Sequence, residues 1–236
     1  MRTWALSAGL SLVAGLAIGC SAVDVDPYVV PVDELSETQK KMVDHVLEDV
    51  AAVVPLEPAE VKSRLEIYDF LLDEMPFTGG IVRELGRGKW QITRDPKDPA
   101  AFLVSDPEGY RLRFELIRKE AHRRFYVTKG IFQMGVLPAL EGSTVIVMRM
   151  NPDGDVIRTD AVVYVRVETA LYATLAKGVR SLLEDKVRER AGFFIKAARW
   201  VAEEAAQRPD WLVMQVDGSR EVYQEVLQEF RKRFLR

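Results

Sequence analysis

The chain has 236 residues, carries a net charge of −3 and is 48% hydrophobic, values that suit one globular domain with or without a small appendage. The near-neutral charge argues against a nucleic-acid-binding protein, which would concentrate basic residues on one face. Its single cysteine, Cys20, excludes an intramolecular disulfide.

Residues 1–20 have the pattern of an export signal, with a short positive region, an uncharged apolar stretch and small residues before Cys20. This end is similar to the lipobox of bacterial lipoproteins, although Ala17 stands where leucine is usual. The resemblance implies acylation of Cys20 and membrane attachment, and Ser21 after it implies the outer membrane, facing the periplasm. An ordinary signal peptide and an uncleaved anchor are the alternatives.

The rest of the chain divides into three parts. Residues 21–35 contain two prolines and four acidic residues without a helical period, which predicts a tether. Residues 36–207 form the predicted folded domain, with a helical front part at 36–75. Residues 208–236 are predicted to be a C-terminal helical extension.

The front part is expected to contain two helices. Ser36 and Gln39 make a capping box for a helix over 36–52. A second helix is expected over 58–74, and the stretch 50–56 is compatible with either a strand or a helix. Residues 75–88 are predicted to be a glycine-rich connector.

Residues 89–167 predict a run of antiparallel strands with one buried face. The turn Asp-Pro-Glu-Gly at 106–109 pairs Asp106 with Tyr110. That register places five apolar side chains on the same face: Phe102, Val104, Leu112, Phe114 and Leu116.

The later strands are predicted to continue this face. An even-length turn within 118–122 adds Phe125, Val127 and Ile131. A turn over 151–154, of the same type as that at 106–109, adds Val145, Val147, Val163 and Val165. Arg149 lands on the same face, where it would either hold an anionic head group or reach water at the hairpin tip.

A long helix is predicted over residues 168–207, because apolar residues recur there at three- and four-residue steps, Leu175, Val179 and Leu182 among them. Residues 209–218 are predicted to be a loop, and Ser219 is predicted to cap a last helix.

The predicted order is helical elements, then an antiparallel meander, then a long closing helix. This order resembles the START-like helix-grip fold of the SRPBCC superfamily, which belongs to the α+β class. The resemblance covers about residues 50–207, and residues 54–61 are similar to the strand-to-helix opening of that family. It implies a cavity between sheet and helix that binds lipids, sterols, polyketides or plant hormones. The expected lining is Phe102, Val104, Leu112, Phe114, Leu116, Phe125, Val127, Ile131, Val145, Val147, Arg149, Val163, Val165, Leu175, Val179 and Leu182.

The favoured function is therefore a membrane-tethered lipoprotein that binds a lipid or another hydrophobic small molecule, for transport or sensing. One alternative is an envelope scaffold with a filled core, whose helices at 36–52 and 219–236 would face a partner. Another is a cyclase-type enzyme, for which Arg149, Tyr126 and Tyr164 are the candidate polar groups. Two histidines far apart in the sequence give little basis for a metal site, and no cofactor motif is present.

Overall fold

The structure is a computed structural model that describes residues 30–132, 139–168 and 176–235, with backbone only for residues 176–180. The predicted export signal, Cys20 and most of the tether lie outside the described residues. So do Leu175 and the side chain of Val179.

Eight strands form one antiparallel sheet in the order β1-β8-β7-β6-β5-β4-β3, and β2 also pairs with β8. The strands are β1 (Ala52–Pro55), β2 (Ala59–Lys62), β3 (Gln91–Asp95), β4 (Asp98–Ser105), β5 (Arg111–Lys119), β6 (Arg123–Phe132), β7 (Leu140–Asp153) and β8 (Val156–Val167).

The α-helices of the described ranges surround the sheet: α1 (Glu37–Leu47), α2 (Leu65–Asp73), α3 (Met75–Glu84), α4 (Ala176–Gln207), α5 (Pro209–Val216) and α6 (Gln224–Phe234). The long helix α4 packs against β1, β2, α2, α3 and α5, on what we call the inner face of the sheet. Helix α1 packs against β7 and β8 on the outer face. The architecture is therefore the α+β helix-grip fold that the sequence predicted.

The front part of the chain contains more strand than the sequence predicted. The ambiguous stretch 50–56 contains β1, and the predicted helix at 58–74 begins with β2 instead. Both strands pair with β8, where Val54 lies opposite Val163 and Val61 opposite Ile157. The apolar spacing was compatible with a helix, but pairing with a sheet edge decided the conformation.

The predicted connector at 75–88 is mostly helix, because Gly79 and Gly80 serve close packing rather than turns. A Cβ atom at Gly80 would lie 2.1 Å from the carbonyl oxygen of Glu221. A Cβ atom at Gly79 would lie 2.8 Å from the Ile92 side chain. Helix α3 can therefore approach both neighbours only with glycine at these positions.

The C-terminal residues belong to the same packed core. The predicted loop at 209–218 contains α5, which begins with Pro209 at a position where the missing N–H costs nothing. The last helix begins at Gln224, and the Ser219 hydroxyl donates to Glu84 instead of capping it. The Phe230 ring lies 5.8 Å from that of Phe70 and 6.0 Å from that of Phe77.

The outer face has its own small core. Helix α1 begins with the predicted capping box, in which the Gln39 backbone N–H donates to Ser36 Oγ at 3.3 Å. Its residues Val43 and Val46 are fully buried, and Val30 packs in the same cluster. The last six residues of the predicted tether are thus packed against the sheet, because Val30, Val32 and Leu35 are apolar and find a partner there.

Candidate functional site

The space between the inner face and α4 contains two small apolar cavities. One has a volume of about 30 Å³ and is lined by Tyr110, Leu112 and Thr128 together with part of α4. The other has a volume of about 50 Å³ and is lined by Leu56, Leu72, Met75, Phe102, Tyr126 and Met148, again with part of α4. We call them the Tyr110 cavity and the Tyr126 cavity.

Aromatic rings separate the two cavities. Phe114, Ile146, Ala191 and Phe194 line both of them. The rings of Phe114 and Phe194 lie 4.9 Å apart, and Phe102 stacks on Phe114 at 5.0 Å. Side chains of β5 and α4 therefore meet in the middle of an otherwise continuous apolar interior.

The structure brings part of the predicted lining together. Phe102 and Phe114 face each other across β4 and β5, as do Val104 and Leu112, so the predicted register of this hairpin is confirmed. Gly109 adopts φ +98°, as the predicted turn requires. Seven predicted residues have the predicted inner orientation: Phe102, Val104, Leu112, Phe114, Leu116, Val163 and Val165.

Strand β6 is turned over relative to the prediction. Phe125 and Val127 are buried on the outer face under α1, and Ile131 is 41% exposed. The cause is a β-bulge between Leu116 and Arg118, where one extra residue changes which side chains share a face. Tyr126 and Thr128 therefore point inward in place of the predicted residues.

Strand β7 is turned over as well. Val145 and Val147 pack with α1 on the outer face, because the hairpin turns on the two residues Gly154 and Asp155 rather than on 151–154. Gly154 adopts φ +60°, which suits the first position of such a turn. The change in register by an odd number of residues brings Ile146 and Met148 to the inner face.

Two further predicted residues do not reach the interior. Arg149 lies opposite Asp160 on the outer face, where its Nε donates to the carboxylate at 2.8 Å. The orientation of Arg149 follows from the same change of register. Leu182 is 39% exposed, and the neighbouring Leu183 faces the Tyr110 cavity instead.

Each of the two cavities is lined by a tyrosine that the predicted lining lacked. Tyr110 and Tyr126 are almost fully buried, and Arg190 lies beside the oxygen of the first and Arg124 beside that of the second. Neither hydroxyl has an acceptor for its proton among the described residues. Burial raises the pKa of both phenols, with Arg190 opposing the rise at Tyr110 and Arg124 opposing it at Tyr126. The hydroxyl groups of Thr128 and Thr144, by contrast, form a hydrogen bond with each other, with 2.8 Å between the two oxygens.

A buried cation lies beside Tyr126. The Arg124 side chain is completely inaccessible to solvent, and it donates to Asp73 at 2.5 Å and to the Asp69 carbonyl at 2.9 Å. Burial alone would lower the pKa of the guanidinium, but Tyr126, Asp73 and Asp69 together raise it above its ordinary value. The sequence does not indicate a buried cation here, because Arg124 follows another arginine directly after a turn, a pattern typical of a solvated surface.

A surface cleft adjoins the Tyr126 cavity. It has a volume of about 210 Å³ and lies between the start of α3 and the strands β4 and β5. Leu72, Phe102 and Tyr126 line both the cleft and the cavity. These three side chains are therefore the only wall the two spaces share among the described residues.

Among the described residues, no group of three or more histidine, cysteine, aspartate or glutamate side chains is placed to hold a metal ion. No helix in the described ranges is long and apolar enough to cross a membrane.

No family model and no curated protein matches the chain. Among solved structures, it is similar to the protein TTHA0849 from Thermus thermophilus, with 14% identity over 66% of this chain and 100% of that one, and a TM-score of 0.42. It is also similar to the di-domain ARO/CYC BexL from the BE-7585A biosynthetic pathway, with 14% identity over 72% of this chain and 55% of that one, and a TM-score of 0.45. For Ara h 8.0201 the identity is 12% over 64% and 98% of the two chains, and the TM-score is 0.43. At such identities the likeness concerns the fold alone.

Proposed function

We propose that this chain is a membrane-tethered lipoprotein that binds a lipid between the inner face and α4, and that it carries or senses that lipid. The observation that supports this is the pair of apolar cavities divided by the contact of Phe114 with Phe194. Movement of these two rings would join the cavities into one apolar space along α4.

If a lipid binds here, the described conformation is a closed one. Ligand pockets usually measure about 300–1,000 Å³, whereas these measure about 30 and 50 Å³. Lipid binding therefore requires a second conformation in which Phe114 and Phe194 have separated. A ligand that binds only that conformation shifts the population toward it.

The tether supplies the membrane part of the proposal. If Cys20 is acylated, residues 21–29 are the only chain between the anchor and Val30, which packs against the sheet. Nine residues span at most roughly 30 Å. The domain would thus stay close to the inner leaflet of the outer membrane, on the periplasmic side, within reach of lipids.

The lipid can be tested by extracting the protein, purified from its native membrane, and analysing the extract by mass spectrometry. We expect a co-purifying lipid that Ala191→Phe removes, because Ala191 lines both cavities and a phenyl group there fills their shared wall. Ala206→Phe, on the exposed side of the same helix, is the matched control and should retain the lipid. Equal amounts of lipid in all three proteins would contradict internal binding.

The anchor can be tested separately with Cys20→Ala. Radioactive palmitate should label the wild-type protein in a bacterial host and not this variant, and the variant should leave the membrane fraction. Labelling that survives the substitution would contradict acylation of Cys20.

The small cavities favour one other function, a scaffold with a filled core. Its partner-facing helices, however, bury their apolar sides within this chain: Val43 and Val46 of α1, and Val226, Leu227 and Phe230 of α6. Leu47 is the one large hydrophobic residue that is exposed in the described parts of these helices. A partner would have to bind their polar sides, so we place this function second.

The cyclase-type alternative stays a prediction. Of its three candidate groups, only Tyr126 lines the interior, while Tyr164 packs with the outer cluster and Arg149 pairs with Asp160. Catalysis would require further polar groups to converge on the ligand.

A further inference from the structure

The Tyr126 hydroxyl has an unusual position. Tyr126 is 7% exposed, and its side chain belongs both to the wall of the apolar Tyr126 cavity and to the wall of the surface cleft. Arg124 lies beside its oxygen, but no described residue accepts its proton. A buried hydroxyl whose proton has no acceptor is unfavourable, and such groups in folded proteins usually have a water molecule or a ligand as their partner.

The charges around this hydroxyl are balanced. Arg124 is paired with Asp73 and Asp69, and Lys119 bonds to both of these carboxylates as well. At the rim of the cleft, Arg94 donates to Glu74 at 2.5 Å. Each of these three cations thus has a carboxylate partner, which disfavours an anionic ligand and favours an uncharged oxygen that accepts from the Tyr126 hydroxyl.

Resting on the proposed function, we propose that the surface cleft is the entrance to the interior and that Tyr126 binds the head of the ligand. The ligand is an amphipathic molecule with an uncharged hydroxyl or carbonyl oxygen. Its apolar body occupies the Tyr126 cavity and its oxygen hydrogen-bonds to the Tyr126 hydroxyl. Leu72 and Phe102, the other members of the shared wall, move aside to admit it.

The head-group part is tested with two probes of nearly equal shape, 2-naphthol and 2-methylnaphthalene, which differ in one hydroxyl group. Their affinities for the delipidated full chain are measured by fluorescence titration. Tyr126→Phe should weaken the affinity for 2-naphthol roughly fivefold to tenfold and leave that for 2-methylnaphthalene unchanged, since only one hydrogen bond is removed.

Tyr110→Phe is the matched control, because it removes a second buried tyrosine hydroxyl whose proton has no acceptor among the described residues, at the far cavity. It should leave both affinities unchanged. An equal response of the two probes to Tyr126→Phe, or a selective loss of 2-naphthol with Tyr110→Phe instead, would overturn the inference and leave the proposed function standing. Failure of both probes to bind the wild-type protein would count against the proposed function itself.

The entrance is tested by stopped-flow association of 2-naphthol. Ala100→Trp places a bulky ring in the cleft at an exposed position and should slow association about tenfold or more. Lys196→Trp is the control, because Lys196 is exposed and lines a second cleft, of about 380 Å³, that touches the Tyr126 cavity through Leu56 and Ile195. Slower association with Lys196→Trp and not with Ala100→Trp would overturn the assignment of the entrance.

Discussion

Phe114 offers the sharpest test of the divided interior. Its ring is 6% exposed, stacks on Phe102 and contacts Phe194, and it lines both cavities. Replacing a buried phenylalanine with alanine usually costs about 3–5 kcal/mol. The empty space on two sides of the ring removes some packing contacts, so we expect Phe114→Ala to cost about 3 kcal/mol, the lower end of that range.

The same substitution should increase binding of small apolar molecules. Removing the ring joins the two cavities into one of a size comparable with the roughly 150 Å³ engineered cavity that binds benzene. Urea unfolding of the purified protein measures the lost stability, and fluorescence titration with 2-methylnaphthalene measures the gain in binding.

Phe125→Ala is the matched control for Phe114→Ala. Phe125 is buried as well, but on the outer face under α1. We expect a stability loss of about 3–5 kcal/mol without a change in probe binding. If Phe114→Ala lost less than about 1 kcal/mol, or if both variants bound the probe equally, the account of the two cavities would be wrong.

Three further predictions concern the regions around this interior. Arg124→Met should lower the free energy of unfolding in urea by about 1.5–3 kcal/mol, because it removes the charge-assisted hydrogen bonds to Asp73 and Asp69 and leaves them with Lys119 alone. Arg124→Lys should restore little, since lysine lacks the forked geometry. Burial raises the pKa of Asp69, but Lys119 and Arg124 lower it on balance, so its contribution to stability is present above about pH 4 and is lost as the pH falls through the folded-state pKa. Urea unfolding at a series of pH values should therefore show a weaker acid-side loss for Asp69→Asn, and an unchanged profile would contradict the pairing. Gly80→Ala should lower the melting temperature by several degrees, because its Cβ would meet a backbone carbonyl oxygen, and a wild-type melting temperature would refute that contact.

The sequence by itself determined the order of the main elements and part of the buried face. The turn at 106–109 determines the register of β4 and β5, because its proline and glycine favour one turn geometry. That geometry decides which residues of the two strands lie opposite each other. The apolar period of the long helix also followed from the sequence, since no proline interrupts it.

Only the tertiary structure decided the faces of β6 and β7. Both faces of these strands are buried, the inner by α4 and the outer by α1, so apolar residues occupy both faces. The sequence pattern therefore does not show which side chains point inward. The bulge after Leu116 and the turn at Gly154 then set the orientation. The burial of Arg124 depends on carboxylates more than 50 positions away in the chain, which local sequence cannot indicate. These features arise from contacts between distant segments, and they place Tyr126, rather than the predicted Phe125 and Val127, inside the candidate site.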